Sequence, residues 1–262
     1  MGPRVEGAPT IEPVASTSRD TRRARSGEPL PEGRARDALP EGKAKEQAIR
    51  EMFDTIAPRY DLVNRIMTFR LDVGWRRRSV RALDLPAGST VIDLACGTGD
   101  LCRELQGGGH RPIGLDLSAG MLASARTTAP LVHGDALDLP VVDGSLDGAT
   151  CGFALRNMVS LEPFFAALAR GIRGGGRIAL LEVAEPKSRI LRAGHGVYFG
   201  TVVPKIGGLL SDASAYRYLP KSVAYLPPPE AILTQIEAAD FRDVERRLFS
   251  GGIAQLITAT RR

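Results

Sequence analysis

Three carboxylates in this chain fall where apolar runs end, and one is followed closely by a pair of glycines. Asp93 sits inside the run Val91-Ile-Asp-Leu-Ala95, four residues before Gly97 of the turn Gly97-Thr98-Gly99. Glycine has no Cβ and tolerates φ > 0, so a ligand can lie directly against the backbone of such a turn. Asp100–Leu105 reads as the opening of a helix, whose unpaired N–H groups point into the same crevice. Asp116 ends the next apolar run, where a carboxylate is placed to accept from two ribose hydroxyls. Asp135 closes a third short run and is followed by Ala136, leaving room for a flat ring beside an acceptor for an adenine amine. An ordinary loop aspartate or helix cap is the competing reading of Asp135.

A pyrophosphate fingerprint places a third glycine three residues after the second, and here that residue is Cys102. Acids at the strand ends also repel phosphate. They suit a ligand with ribose hydroxyls and positive charge. S-adenosylmethionine carries a sulfonium and an ammonium and no phosphate, so it is the expected cofactor. Its expected binding residues are Asp93, Gly97, Thr98, Gly99, Asp116, Asp135 and Ala136.

The elements that position these residues follow from hydrophobic period. Strand and helix periods alternate: strand 90–94, helix 99–106, strand 112–116, helix 118–127, strand 130–133, strand 146–152, helix 161–172 and strand 177–183. Helix 229–239 and strands 241–249 and 253–260 follow, with Gly251-Gly252 as a hairpin between the last two. The expected fold class is α/β, a Rossmann-like arrangement with a mostly parallel seven-stranded sheet, an antiparallel edge strand and an inserted helical cap. Ahead of the sheet, Ala48, Ile49, Met52, Phe53 and Ile56 share a helical face until Pro58 stops it. Residues 46–85 are therefore N-terminal helices of a single domain spanning 46–262. Residues 1–45 are rich in Pro, Gly, Arg, Glu and Ser and almost empty of large apolar residues, so they are expected to be a disordered tail. Residues 187–228 break the alternation and carry Tyr198, Phe199, Tyr216, Tyr218 and Tyr225; they are read as the cap.

Of 262 residues, 43 % are hydrophobic and 25 % charged, the composition of a water-soluble globular chain. No apolar run approaches the roughly 20 residues that span a bilayer, and the N-terminus lacks a secretory core. Cytoplasmic location is expected, with any membrane contact peripheral to the inner face of the cell membrane. Cys96, Cys102 and Cys151 form no CxxC pair, and reduced thiols are the expected state. No acid, Cys or second His stands at metal spacing from His133, so no metal is expected. Arg65, Arg70, Arg76, Arg77, Arg78 and Arg81 face only Asp72 in their stretch. They read either as a solvated helix face or as a surface for anions. A nucleic-acid partner is not expected, because only Trp75 interrupts the arginines and RNA readers stack bases on several aromatics.

Asp93-Leu-Ala-Cys-Gly-Thr-Gly-Asp100, Gly114-Leu-Asp-Leu-Ser-Ala-Gly-Met-Leu122 and Gly134-Asp-Ala136 resemble the class I S-adenosylmethionine-dependent methyltransferases. Met52-Phe-Asp-Thr-Ile-Ala-Pro-Arg-Tyr-Asp61, Gly152-Phe-Ala-Leu-Arg-Asn157 and Ala215-Tyr-Arg-Tyr-Leu-Pro220 are similar to the signatures of the menaquinone/ubiquinone biosynthesis C-methyltransferases, the demethylmenaquinone methyltransferase-like family. The likeness covers residue 46 to the C-terminus. It implies methylation of a ring carbon of a polyprenylated quinol, most directly demethylmenaquinol to menaquinol, and cofactor contacts at Thr98, Asp116, Asp135 and Ala136. The chain departs from the family pattern at Gly152, where a serine is usual. A soluble small molecule or natural product is the alternative acceptor, and a homodimer is left open.

Attack of a ring carbon on a sulfonium methyl is an in-line displacement, accelerated by alignment and exclusion of water. The neighbouring hydroxyl must lose its proton, which calls for an acceptor, directly or through water, and a cation for the phenolate. Arg156, Asn157 and Tyr60 are the expected catalytic residues, with Arg156 acting electrostatically because arginine stays protonated. A structural salt bridge is the competing reading of Arg156. His195 and Tyr198 are further candidates from the cap.

Overall fold

A computed structural model describes residues 42–186, Ser188, Tyr198 and residues 222–262. The expected tail over residues 1–41 lies outside them, as do His195, Tyr216, Tyr218 and most of the expected cap. Three helices come first: α1 Gly42–Ile56, α2 Tyr60–Met67 and α3 Leu71–Ala82. Pro58 stands in the 3-10 turn that separates α1 from α2. Helix α1 begins inside the segment assigned to the tail. Lys45 there is buried, donates to the Met158 carbonyl at 2.6 Å and lies 3.9 Å from the centre of the Tyr225 ring.

The alternating part runs β1 Thr90–Leu94, α4 Asp100–Gly107, β2 Arg111–Asp116, α5 Ala119–Ala123, β3 Leu131–His133, β4 Leu146–Gly152, α6 Leu161–Gly171 and β5 Ile172–Val183. After the cap region come α7 Pro229–Ala238, β6 Phe241–Phe249 and β7 Ala254–Arg261. The strands form one sheet in the order β3-β2-β1-β4-β5-β7-β6. Every pair from β3 to β5 is parallel, while β7 runs antiparallel to both β5 and β6. The reversed strand therefore lies second from the edge, with β6 outside it. Arg242, Glu245 and Arg247 on β6 are exposed, charges that discourage another strand from pairing there.

Central strands with helices on both faces read as continuous apolar runs, and Val91, Ile92 and Leu94 are fully buried. On one face Phe164, Phe165 and Leu168 of α6 pack with Ile232 and Ile236 of α7. On the other, Val80 and Leu83 pack with Leu101 and Leu105 of α4.

Two elements differ from the pattern read in sequence. Helix α5 stops at Ala123 instead of continuing to 127, because Arg126 N donates to the Thr98 carbonyl at 3.0 Å and draws the chain back to the glycine turn. Strand β5 begins at Ile172 and not at 177, so Gly174-Gly-Gly176 lies within it. The extra residues are absorbed by a register shift opposite Leu146–Gly148. A Cβ on Gly176 would stand 2.7 Å from the Asp147 carbonyl oxygen, so only glycine permits this pairing.

Candidate active site

The sheet order reverses at β1, whose neighbours β2 and β4 lead away in opposite directions. A crevice must open beyond the strand ends at such a point. The cavity there encloses about 1070 Å³ including its open mouth and is lined from β1, β2, β4, the loop after β3, and helices α1, α2 and α3.

Gly97 and Thr98 of the glycine turn line it. Gly97 and Gly99 both adopt positive φ, 55° and 83°. At Gly99 a Cβ would also meet Thr127 Cγ2 at 2.6 Å, so the position excludes other residues twice over. Gly97 N donates to Asp116 Oδ2 at 2.7 Å, and Ser118 N donates to Oδ1 at 2.8 Å. Each carboxylate oxygen has two lone pairs, so Asp116 keeps acceptor capacity for a ligand in the cavity it lines. Burial raises the pKa of Asp116, opposed by those two backbone donors.

Asp93 is 1 % exposed yet reaches the cavity wall. It accepts from Thr150 Oγ1 at 2.8 Å and from Cys102 Sγ at 3.5 Å. Burial pushes its pKa up to about 7, outweighing both hydrogen bonds. Such a carboxyl is neutralised cheaply or ionised by a cation placed against it. Cys102, standing where a dinucleotide site has its third glycine, is fully buried and serves as a partner of Asp93. Asp135 and Ala136 both line the cavity, and Asp135 Oδ1 also accepts from Leu137 N at 2.9 Å. The loop-capping and ligand-facing readings of Asp135 are thus compatible.

The N-terminal helices close the other side. Thr98 Oγ1 donates to the buried Asp61 of α2, tying the turn to that helix. Asp54 of α1 accepts from Ser118 Oγ and, at 2.9 Å, from Gly120 N, bringing α1 over the Asp116 side. Tyr60 lines the cavity, its ring edge-on to Phe53 at 5.8 Å, and burial raises its pKa.

Arg156 and Asn157 part company. They share one 3-10 turn, Leu155–Asn157, directly beyond β4. Asn157 faces the cavity, and its buried Oδ1 has no hydrogen-bond partner. Arg156 does not line the cavity. Its guanidinium is ion-paired with Glu182 of β5 and donates to Ser222 Oγ at 3.0 Å and the Phe153 carbonyl at 2.7 Å. The cation that does reach the wall at this end is Arg76 of α3, ion-paired with Asp72 and 3.5 Å from Asp100. Sequence reading grouped Arg76 with a basic surface stretch; the i,i+4 spacing from Asp72 was the available signal that it is a held, inward side chain. Tyr198 packs with Ile56, Val63 and Met67, and its hydroxyl donates to the Met67 carbonyl at 3.0 Å.

Among the described residues no cluster of His, Cys, Asp and Glu is arranged to hold a metal ion, and no helix is long and apolar enough to cross a membrane.

A model of the ubiE/COQ5 methyltransferase family matches residues 41–261. The demethylmenaquinone methyltransferase of Deinococcus radiodurans is 39 % identical over 217 residues, covering 79 % of this chain and 90 % of the relative. The demethylmenaquinone methyltransferase of Thermus thermophilus is 40 % identical over 215 residues, covering 78 % and 97 %. Among solved structures, an S-adenosylmethionine-dependent methyltransferase of Thermotoga maritima superposes with a TM-score of 0.58 at 18 % identity, covering 82 % of this chain and all of that one. That likeness is one of fold.

Proposed function

The chain belongs to the ubiE/COQ5 methyltransferase family, and on that premise we propose that it transfers a methyl group from S-adenosylmethionine to a ring carbon of a polyprenylated quinol, with demethylmenaquinol as the acceptor. The observation that carries this reading is a single cavity lined both by Gly97 and Thr98 with Asp116 and by Tyr60 and Asn157. Donor and acceptor therefore have one space in which to meet.

Adenine lies at Asp135 and Ala136, ribose at Asp116, and the methionine end against Gly97, Thr98 and Asp93. The quinol ring enters beside Tyr60 and Asn157. Asn157 Oδ1, the acceptor that the protein leaves unpartnered, accepts a hydrogen bond from a water beside the hydroxyl next to the target carbon. Water takes that hydroxyl proton, and the phenolate pushes charge onto the ring carbon. The carbon attacks the methyl in line, and the C–S bond electrons leave with S-adenosylhomocysteine. Transfer of the ring proton to water then restores aromaticity. Arg156 supports the reaction by fixing the turn that carries Asn157.

An apolar tail requires an apolar approach. Leu62, Ile66, Phe69 and Leu71 are exposed on α2, α3 and their junction, with Phe69 74 % exposed. Arg70 and Arg81 are exposed in the same stretch. This combination supports peripheral docking on an anionic lipid surface, each well-placed cation adding about 1 kcal/mol. Retention on anionic liposomes at low salt, weakened by Phe69→Ser, is the expected result. Absence of any retention removes the membrane contact.

The acceptor is tested by incubating the protein with S-adenosylmethionine and lipid extract from a strain lacking its quinone methyltransferase. Mass spectrometry is expected to find the methylated naphthoquinone. Methylation of a water-soluble extract only would replace the quinol by another acceptor. Failure of S-adenosylhomocysteine to raise the melting temperature would remove the cofactor as well.

A further inference from the structure

The donor's amino-acid head group carries a carboxylate, and a site rich in acids needs a cation to receive it. Two cations line the cavity among the described residues, Arg50 and Arg76. Arg50 stands one turn before Asp54, which is tied to Ser118 and Gly120, so it belongs to the ribose side. Arg76 stands at the other end, beside Asp100 at the start of α4 and with its guanidinium 5.5 Å from the centre of the Phe153 ring.

Two features of Arg76 point to a ligand. It is 7 % exposed, yet of its five N–H donors only one makes a hydrogen bond within the described structure, to Asp72. A second nitrogen stands 3.5 Å from Asp100 Oδ2, and the residue lines the cavity wall. Its direction is also fixed from below, because Thr68 Oγ1 donates to Asp72 at 2.6 Å and the Asp72 carboxylate holds the guanidinium. The charge around it suits an anion too. Arg65, Arg76 and Arg103 converge on Asp100, so three guanidinium groups share that carboxylate.

We propose that Arg76 binds the carboxylate of the donor's methionine moiety, the planar guanidinium matching the two carboxylate oxygens. This rests on the S-adenosylmethionine reading and assigns the residue that grips its non-nucleoside end. The neighbouring acids Asp93 and Asp100 then face the ammonium of the same head group, so the cavity end is matched to a zwitterion.

The test compares S-adenosylhomocysteine with 5′-methylthioadenosine, which keeps the nucleoside and sulfur but lacks the amino-acid head, by calorimetric titration. Arg76→Gln is expected to weaken S-adenosylhomocysteine about 10- to 100-fold, the size of a lost charge-assisted contact, and to leave methylthioadenosine within about twofold. Arg76→Lys keeps charge without the fork and is expected to fall between. Because Arg76→Gln strands the buried Asp72, the pair Asp72→Asn with Arg76→Gln removes both charges and is expected to show the same ligand-selective loss. Unchanged S-adenosylhomocysteine affinity in these variants overturns the assignment, as does equal loss of both ligands. If the wild-type protein binds neither ligand, the donor reading itself fails, and the inference with it.

Discussion

Two arginines, Arg76 and Arg156, are both nearly buried and both paired with a buried carboxylate, yet they stand in different relations to the cavity. Arg156 spends its guanidinium on Glu182, Ser222 and the Phe153 carbonyl, three partners that surround it within the protein. Arg76 has one hydrogen-bond partner, four residues away on its own helix, stands 3.5 Å from Asp100 and lines the cavity. The first pair is a clamp between β5 and the turn after β4. The second is a cation held in place with capacity to spare. A buried arginine is thus characterised by the donors it has left over, and burial or charge alone does not separate the two roles.

The comparison breaks most visibly at Glu182. Replacing it by Ala leaves the Arg156 charge buried and unpaired, and equilibrium unfolding is expected to show a loss of about 3–5 kcal/mol. Arg156→Met combined with Glu182→Leu is expected to recover most of that. A stable but inactive Glu182→Ala protein would instead place Arg156 in the chemistry.

Next in size is the buried Asp93, whose pKa burial pushes up to about 7, above the ordinary carboxyl range. A native carboxyl that holds its proton more tightly than the unfolded chain does adds stability at low pH. That contribution is lost as pH rises from about 4 to about 7, and at about 1.4 kcal/mol per pKa unit it amounts to at most about 4 kcal/mol. Subtracting the unfolding free energies of Asp93→Asn from those of the wild type between pH 4 and 8 isolates it. A flat difference would mean that Asp93 is ionised throughout.

Smaller again, Asp116→Ala removes the acceptor of Gly97 N and Ser118 N together with the proposed ribose contact. Calorimetry is expected to show S-adenosylhomocysteine binding weakened about 100-fold. The smallest effect sharpens the contrast within the Arg156-Asn157 pair itself. Asn157→Ala is expected to lower kcat about 10-fold with S-adenosylhomocysteine affinity within twofold. An unchanged kcat would remove Asn157 from the acceptor site.

Much of the donor side was legible in the chain because its determinants are close together. Strands 90–94, 146–152 and 241–249 appear at those positions, and Asp93, Gly97, Thr98, Asp116, Asp135 and Ala136 line one cavity. Helix α5 and the start of β5 were misjudged where a distant group intervenes: the Thr98 carbonyl for the first, the Asp147 carbonyl beside Gly176 for the second. The acceptor side was harder still. Asp54 and Asp61 lay in a quoted motif, but their partners Ser118 and Thr98 come from other parts of the chain.

The sequence by itself determined the alternating α/β order and the glycine turn flanked by acids. Period, glycine φ and strand-end spacing act over a few residues and need no knowledge of the rest. Only the tertiary structure decided which arginine faces the cavity. A guanidinium points to wherever its carboxylate arrives, and for Arg156 that carboxylate comes from a strand 26 residues further along the chain.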